Sequence, residues 1–132
     1  MLGAVVFSGP IPAASADLKM SLDVAEYHLD NGMQVLVLED HASPMVSVQV
    51  WVRVGSRNER PGYTGISHLI EHMIFKGTKK VGPEEYSRIV QKYGGTENAF
   101  TSMDMTVYHS VLPSSQFELI LELEADRMAN AL

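Results

Sequence analysis

Thr64-Gly65-Ile66-Ser67-His68-Leu69-Ile70-Glu71-His72-Met73-Ile74-Phe75-Lys76-Gly77 is the stretch from which the rest of the chain can be read. Ile66, Leu69, Ile70, Met73 and Ile74 recur at i, i+3, i+4, i+7 and i+8, the spacing of one apolar helix face. The pattern predicts a helix over roughly 64–76, with Gly77 placed to end it. At about 100° per residue, His68, Glu71 and His72 centre nearly opposite that stripe. One side is therefore expected to bury, and the other to present three chemical groups together. Two histidines four apart on a helix lie on one face and can share one metal ion. The order H-x-x-E-H is the inverted form of H-E-x-x-H. In both, the glutamate neighbours a ligand without having to bind, and can take a proton from a zinc-bound water. His68 and His72 are thus candidate ligands of Zn2+, and Glu71 a candidate general base. The competing reading is a solvent-facing helix with two incidental histidines.

Working outward, Tyr27–Asp30 and Met33–Leu38 flank Asn31-Gly32, the preferred pair for a two-residue type I′ turn, and predict a β-hairpin. Val46, Val48, Val50, Val52 and Val54 alternate with polar or aromatic residues and predict a strand with one uniform β-branched face. Residues 55–63 read as a polar loop. A second helix should follow Gly82-Pro83, with Pro83 in its first turn, Tyr86, Ile89, Val90 and Tyr93 on its apolar face, and Gly94-Gly95 at its end. Strands return near 97–102 and 105–112. Ser115-Gln116-Phe117-Glu118 has the form of a capping box opening a third helix, with Phe117, Leu121, Ala125, Met128 and Leu132 as its stripe. Glu124, Asp126 and Arg127 read there as solvated helix charges, Glu124 and Arg127 forming an i,i+3 pair. The order β-β-β-α-α-β-β-α indicates an α+β fold, a mixed, mainly antiparallel sheet covered by helices.

Composition narrows the chemistry. The chain has 132 residues, 45% of them hydrophobic and 20% charged, which is globular and not low-complexity. A net charge of −6 argues against a nucleic-acid partner. There is no cysteine, so a metal must be held by His, Asp or Glu. Residues 1–16 carry no charged side chain and end in Ala14-Ser15-Ala16, a small-x-small cleavage pattern. They read as a signal-peptide remnant without its basic start, or alternatively as an apolar leader; export to the periplasm or secretion is expected, with a cytoplasmic location as the alternative. The apolar run is too short for a membrane span. His28, His41 and His109 stand alone and read as ordinary surface or sheet residues.

Several ordered blocks carry a resemblance. Val54-Gly55-Ser56-Arg57-Asn58-Glu59, the stretch from Gly65 to Thr78, Leu29-Asp30-Asn31-Gly32-Met33, Gly94-Gly95 with Asn98-Ala99-Phe100-Thr101, and Glu124-Ala125-Asp126-Arg127-Met128 closely resemble the pitrilysin/insulinase family of metallopeptidases, which includes the mitochondrial processing peptidases. The likeness runs from about residue 24 to the end of the chain. It implies a zinc metalloendopeptidase acting on peptides or unfolded proteins, with His68 and His72 on the metal and Glu71 as the base. It also implies that Asn98 and Ala99 lie on a strand edge that holds substrate by its backbone. The family's third ligand is a glutamate roughly 75 residues past the second histidine, beyond Leu132, and Glu118, Glu122 and Glu124 lack that spacing. Residues 17–132 are thus expected to be the N-terminal part of a peptidase domain, inactive alone. Some family members are non-catalytic peptide-binding or scaffold subunits, usually without intact motif residues, and homo- or hetero-dimers with a family member are implied only by the resemblance.

Overall fold

Two five-residue strands on either side of a glycine turn make the first element pair. A computed structural model of the protein describes residues 22–132, so the leader reading of residues 1–16 lies outside the described residues. β1 (Val24–His28) and β2 (Gln34–Leu38) pair antiparallel, from Val24 opposite Leu38 to His28 opposite Gln34. The connection differs from the expected type I′ turn. Leu29 N–H donates to Met33 O at 2.9 Å, Gly32 N–H donates to Leu29 O at 2.9 Å, and Gly32 has φ 85° while Asn31 does not take a positive φ. The loop therefore has three residues, Asp30, Asn31 and Gly32, with only the glycine left-handed. The register centres on Asn31, and an odd-numbered loop is the one that fits it.

The chain divides into two compact units between Asp40 and His41, and the hairpin belongs to the first. In the second, β3 (Met45–Val52), β4 (Thr96–Thr101) and β5 (Thr106–Pro113) form a three-stranded sheet in the order β3-β5-β4. Every ladder among the described residues is antiparallel. The valine alternation sets the inward face: Val46, Val48, Val50 and Val52 are half-buried, while Met45, Ser47, Gln49 and Trp51 are exposed. Register extends that face across the sheet through the rows Val48–Ser110–Glu97, Val50–Tyr108–Ala99 and Val52–Thr106–Thr101.

Three helices follow the predicted order: α1 (Ile66–Ile74), α2 (Glu85–Lys92) and α3 (Phe117–Asn130). The core is Tyr86, Val90, Leu112, Ile120 and Leu123, with Val46, Val48, Val81, Ile89 and Leu119 packed against it. Gly77 ends α1 region at φ 100°, where an added Cβ would meet Val81 O at 2.5 Å. Pro83 does not enter α2. Glu84 takes a left-handed φ of 62° and the Glu85 carboxylate reaches back to Gly82 N–H at 2.8 Å, so a tight turn precedes the helix.

Two helix faces depart from the sequence expectation. The capping box at Ser115 does not form; the chain makes a 3-10 turn over Ser114–Gln116 and α3 begins at Phe117 without a side-chain cap. α3 turns Ile120, Leu123, Glu124 and Arg127 inward, leaving Phe117, Leu121 and Ala125 exposed. α1 likewise turns Ser67 and Glu71 inward, and its apolar stripe outward, with Leu69 58% exposed and Ile66, Ile70 and Met73 also exposed. At about 100° per residue the buried side lies roughly a third of a turn from the stripe, so α1 has three faces instead of two. Specific hydrogen bonds to Glu71 and to the α1 N-terminus set this rotation, as described next.

Candidate active site

The site is built on α1, whose N-terminus is held from outside the helix. Gly65 occupies the capping position with φ 91° and has no side chain to satisfy the first N–H groups. Glu59 does so instead, accepting from Gly65 N–H at 2.8 Å and from Ser67 N–H at 2.9 Å. These two backbone bonds hold its carboxyl below the usual carboxylate range. Sequence reasoning missed Glu59; the signal was an α1 start lacking a Ser, Thr or Asp cap, with an acid a few residues upstream.

The loop carrying Glu59 is itself docked on the β4–β5 turn. Ser56 N–H donates to Ser102 O at 3.0 Å, Arg57 N–H to Met103 O at 2.8 Å, and the Arg57 guanidinium meets Asp104 at 2.7 Å. Gly55 is needed for this approach, since a Cβ there would stand 2.4 Å from Ser102 O. The end of the sheet thus orients the loop, and the loop orients the helix.

Helical spacing then brings His68 and His72 together. Their Nε2 atoms are 3.2 Å apart and both side chains are exposed. Zinc–imidazole bonds of about 2.0–2.1 Å around a tetrahedral ion separate neighbouring nitrogens by about 3.3 Å. The pair therefore fits two positions of one zinc ion. Among the described residues no group of three or more His, Cys, Asp or Glu is arranged to hold a metal.

Glu71, between them in sequence, faces the sheet and is only 6% exposed. Its Oε2 accepts a hydrogen bond from the Thr101 hydroxyl. Asn98 and Ala99 lie on β4 with Thr101, and among the described residues β5 is the one strand paired with β4. Ala99 N–H donates to Asn98 Oδ1 at 2.9 Å. His28 sits in β1 with Glu26 3.5 Å away, and His109 in β5 opposite Asn98 and Gln49.

A second polar cluster lies behind the helix, and it corrects the reading of Glu124 and Arg127 as solvated charges. Arg127 Nη2 donates to both Glu124 oxygens at 2.7 Å, and each residue is 4% exposed. The Tyr86 hydroxyl donates to Glu124 Oε1 at 2.5 Å and lies 2.9 Å from Ser110 Oγ. Burial above all, then the Glu124 charge, pushes the Tyr86 hydroxyl well above its ordinary value, and burial raises Tyr108 too. The Arg127 guanidinium stacks over Tyr86, Tyr108 and Phe75 at 4.4, 4.9 and 5.1 Å from the ring centres. Phe75 is the residue that closes α1, so this cluster fixes the far end of the same helix. Asp126 leaves the pair, accepting from Thr78 Oγ1 at 2.5 Å, a bond that lowers its carboxyl.

Comparison with known proteins shows the family and the fold. A family profile described as "Insulinase (Peptidase family M16)" matches residues 34–132. The chain is 39% identical over 103 residues to zinc protease PqqE of Helicobacter pylori, covering 77% of this chain and 23% of that protein. It is 41% identical over 91 residues to human insulin-degrading enzyme, covering 66% of this chain and 9% of that protein. Among solved structures, a protease from Helicobacter pylori superposes with a TM-score of 0.82 at 36% identity, covering 84% of this chain and 27% of that one. The first half of the periplasmic protease PqqL from Escherichia coli gives a TM-score of 0.76 at 26% identity, covering 83% of this chain and 25% of that one. The chain spans about a quarter of the length of the bacterial relatives it matches. With three quarters of its length inside the family profile, and antiparallel sheets and helices that match solved proteases of this kind, the chain belongs to the insulinase family of peptidases.

Proposed function

We propose that this chain contributes the metal-binding helix, the general base and the peptide-binding edge of a zinc-dependent metalloendopeptidase. The observation that carries the reading is the 3.2 Å separation of two imidazole nitrogens on one helix, beside a buried glutamate. His68 and His72 would hold Zn2+. When bound, zinc supplies Lewis-acid polarisation of a peptide carbonyl and makes water at the site easier to deprotonate. Glu71 takes the proton of the attacking water on its carboxylate and passes it to the leaving amine. Asn98 and Ala99, on the edge strand β4, receive an extended peptide as an added strand. The Asn98 side chain, which accepts the Ala99 N–H in the present structure, turns away to admit it.

Relatives named as proteases support peptides or unfolded proteins as the substrate class. The periplasmic location given for PqqL, together with the leader-like residues 1–16, supports export. No helix among the described residues is long and apolar enough to cross a membrane. Two imidazoles alone hold zinc weakly, so the 132-residue chain by itself is expected to show no turnover, and activity is assigned to the whole protein.

The test is elemental analysis and peptide cleavage by the whole protein. One zinc per site is expected, lost from the His68→Ala and His72→Ala variants, with cleavage of an unstructured peptide abolished by Glu71→Gln. Zinc retained after both histidines are replaced, or cleavage unaffected by Glu71→Gln, would overturn the reading.

A further inference from the structure

The Glu71 carboxylate is buried without a cation beside it in any hydrogen bond or ion pair among the described residues; its partner is the hydroxyl of Thr101, thirty residues away on β4. A threonine hydroxyl has one proton to give. Around Thr101 the direction of giving is settled by its neighbour. Thr106, directly opposite on β5 and 5% exposed, donates its proton to Val54 O at 2.9 Å. Its oxygen lies 3.4 Å from Thr101 Oγ1, too long and too weak to compete for the Thr101 proton. Thr101 is therefore free to donate to Glu71 Oε2, while Thr106 donates the other way to Val54 O, so the two hydroxyl protons point apart and neither is shared between the threonines. Oε1 is left for the proton that the reaction moves.

We propose that Thr101 is a positioning residue: its hydroxyl holds Glu71 Oε2 against the end of β4, so that the remaining carboxylate oxygen is aimed at the attacking water. This rests on the reading of Glu71 as the base. Thr101 is also the last residue of the strand that carries Asn98 and Ala99, so one rigid element sets both the peptide edge and the orientation of the base. Removing a group of this kind, one step out from the reacting atoms, typically costs about 10- to 100-fold in activity.

The experiment uses the zinc-loaded whole protein and a quenched fluorescent peptide, with Thr101→Val, Thr101→Ser and Glu71→Gln compared. Thr101→Val keeps the shape and removes the hydroxyl; kcat is expected to fall about 10- to 100-fold with KM within about twofold. Zinc content and Tm should match the parent, and Thr101→Ser should recover kcat to within a few-fold. A kcat unchanged in Thr101→Val overturns the proposal, as does a change confined to KM, which would make Thr101 a support for the peptide edge only. Failure of serine to rescue also overturns it. If Thr101→Val does not fold, Thr101→Ala is read in its place by the same criteria. The two readings separate cleanly: Glu71→Gln with full activity removes the base itself, whereas an inactive Glu71→Gln beside a fully active Thr101→Val removes only the role of Thr101.

Discussion

Two glutamates, one on each of two helices packed against the same sheet, are buried to the same degree and differ in everything else. Glu124 is 4% exposed and Glu71 6%. Glu124 takes three hydrogen bonds: Arg127 Nη2 donates to both its oxygens and the Tyr86 hydroxyl to one of them. Among the described residues Glu71 has a single neutral hydroxyl donor, on a helix whose adjacent turn presents two imidazoles. A buried carboxylate answered by a guanidinium is committed to structure, because separating the pair leaves an uncompensated charge. One answered only by a hydroxyl keeps an oxygen available for chemistry. Burial alone therefore does not distinguish an architectural acid from the one proposed as a base; the partners do.

The comparison is best broken by making the same change at both places. Glu71→Gln in the whole protein is expected to lower peptide cleavage by about 100-fold or more, the scale of a lost general base. Gln can still accept the Thr101 hydroxyl, so its Tm should stay near that of the parent. Glu124→Gln should do the reverse. Arg127 would face a neutral amide inside a ring of aromatics, and urea unfolding should show a loss of about 3–5 kcal/mol. A Glu124→Gln variant of parental stability would mean that water reaches Arg127, and the contrast between the two acids would collapse.

A smaller change sharpens the same contrast. Tyr86→Phe leaves Arg127 and Glu124 paired but removes one donor to the carboxylate, and should cost about 1–3 kcal/mol in the same unfolding measurement. Smaller still is the pH dependence carried by Glu59. Its folded carboxyl lies below the ordinary range because of the Gly65 and Ser67 N–H groups, so its contribution is present above the unfolded value and lost as pH falls through the folded one. Between about pH 5 and pH 3, the Tm of the parent should drop more steeply than that of Glu59→Gln. Parallel curves would show that the cap on α1 does not depend on the Glu59 charge.

How far these features could be read in advance follows from their range along the chain. The valines from Val46 to Val52 announce a strand and its inward face because period two is a local property. Gly77 and Gly94, with φ of 100° and 75°, announce helix ends because only glycine takes that conformation without cost. The four-residue step from His68 to His72 places two nitrogens within one metal's reach through helix geometry alone. The rotation of α1 and α3 was not legible. Their apolar stripes suggested one inward face each, yet Glu71 and the Glu124–Arg127 pair point into the fold instead. Each of those side chains is held by a partner far along the chain: Thr101 thirty residues on, Tyr86 thirty-eight residues back.

By itself, then, the sequence determined the elements, the α+β class, the family and the pairing of His68 with His72, because each depends on residues a few positions apart or on ordered blocks. Only the tertiary structure decided that Glu59 caps α1, that Thr101 meets Glu71, and that Arg127 is buried among Phe75, Tyr86 and Tyr108. Hydrogen bonds and ring contacts of that kind form between surfaces that meet when helices settle on a sheet, and no spacing within a single helix encodes which side will be turned inward.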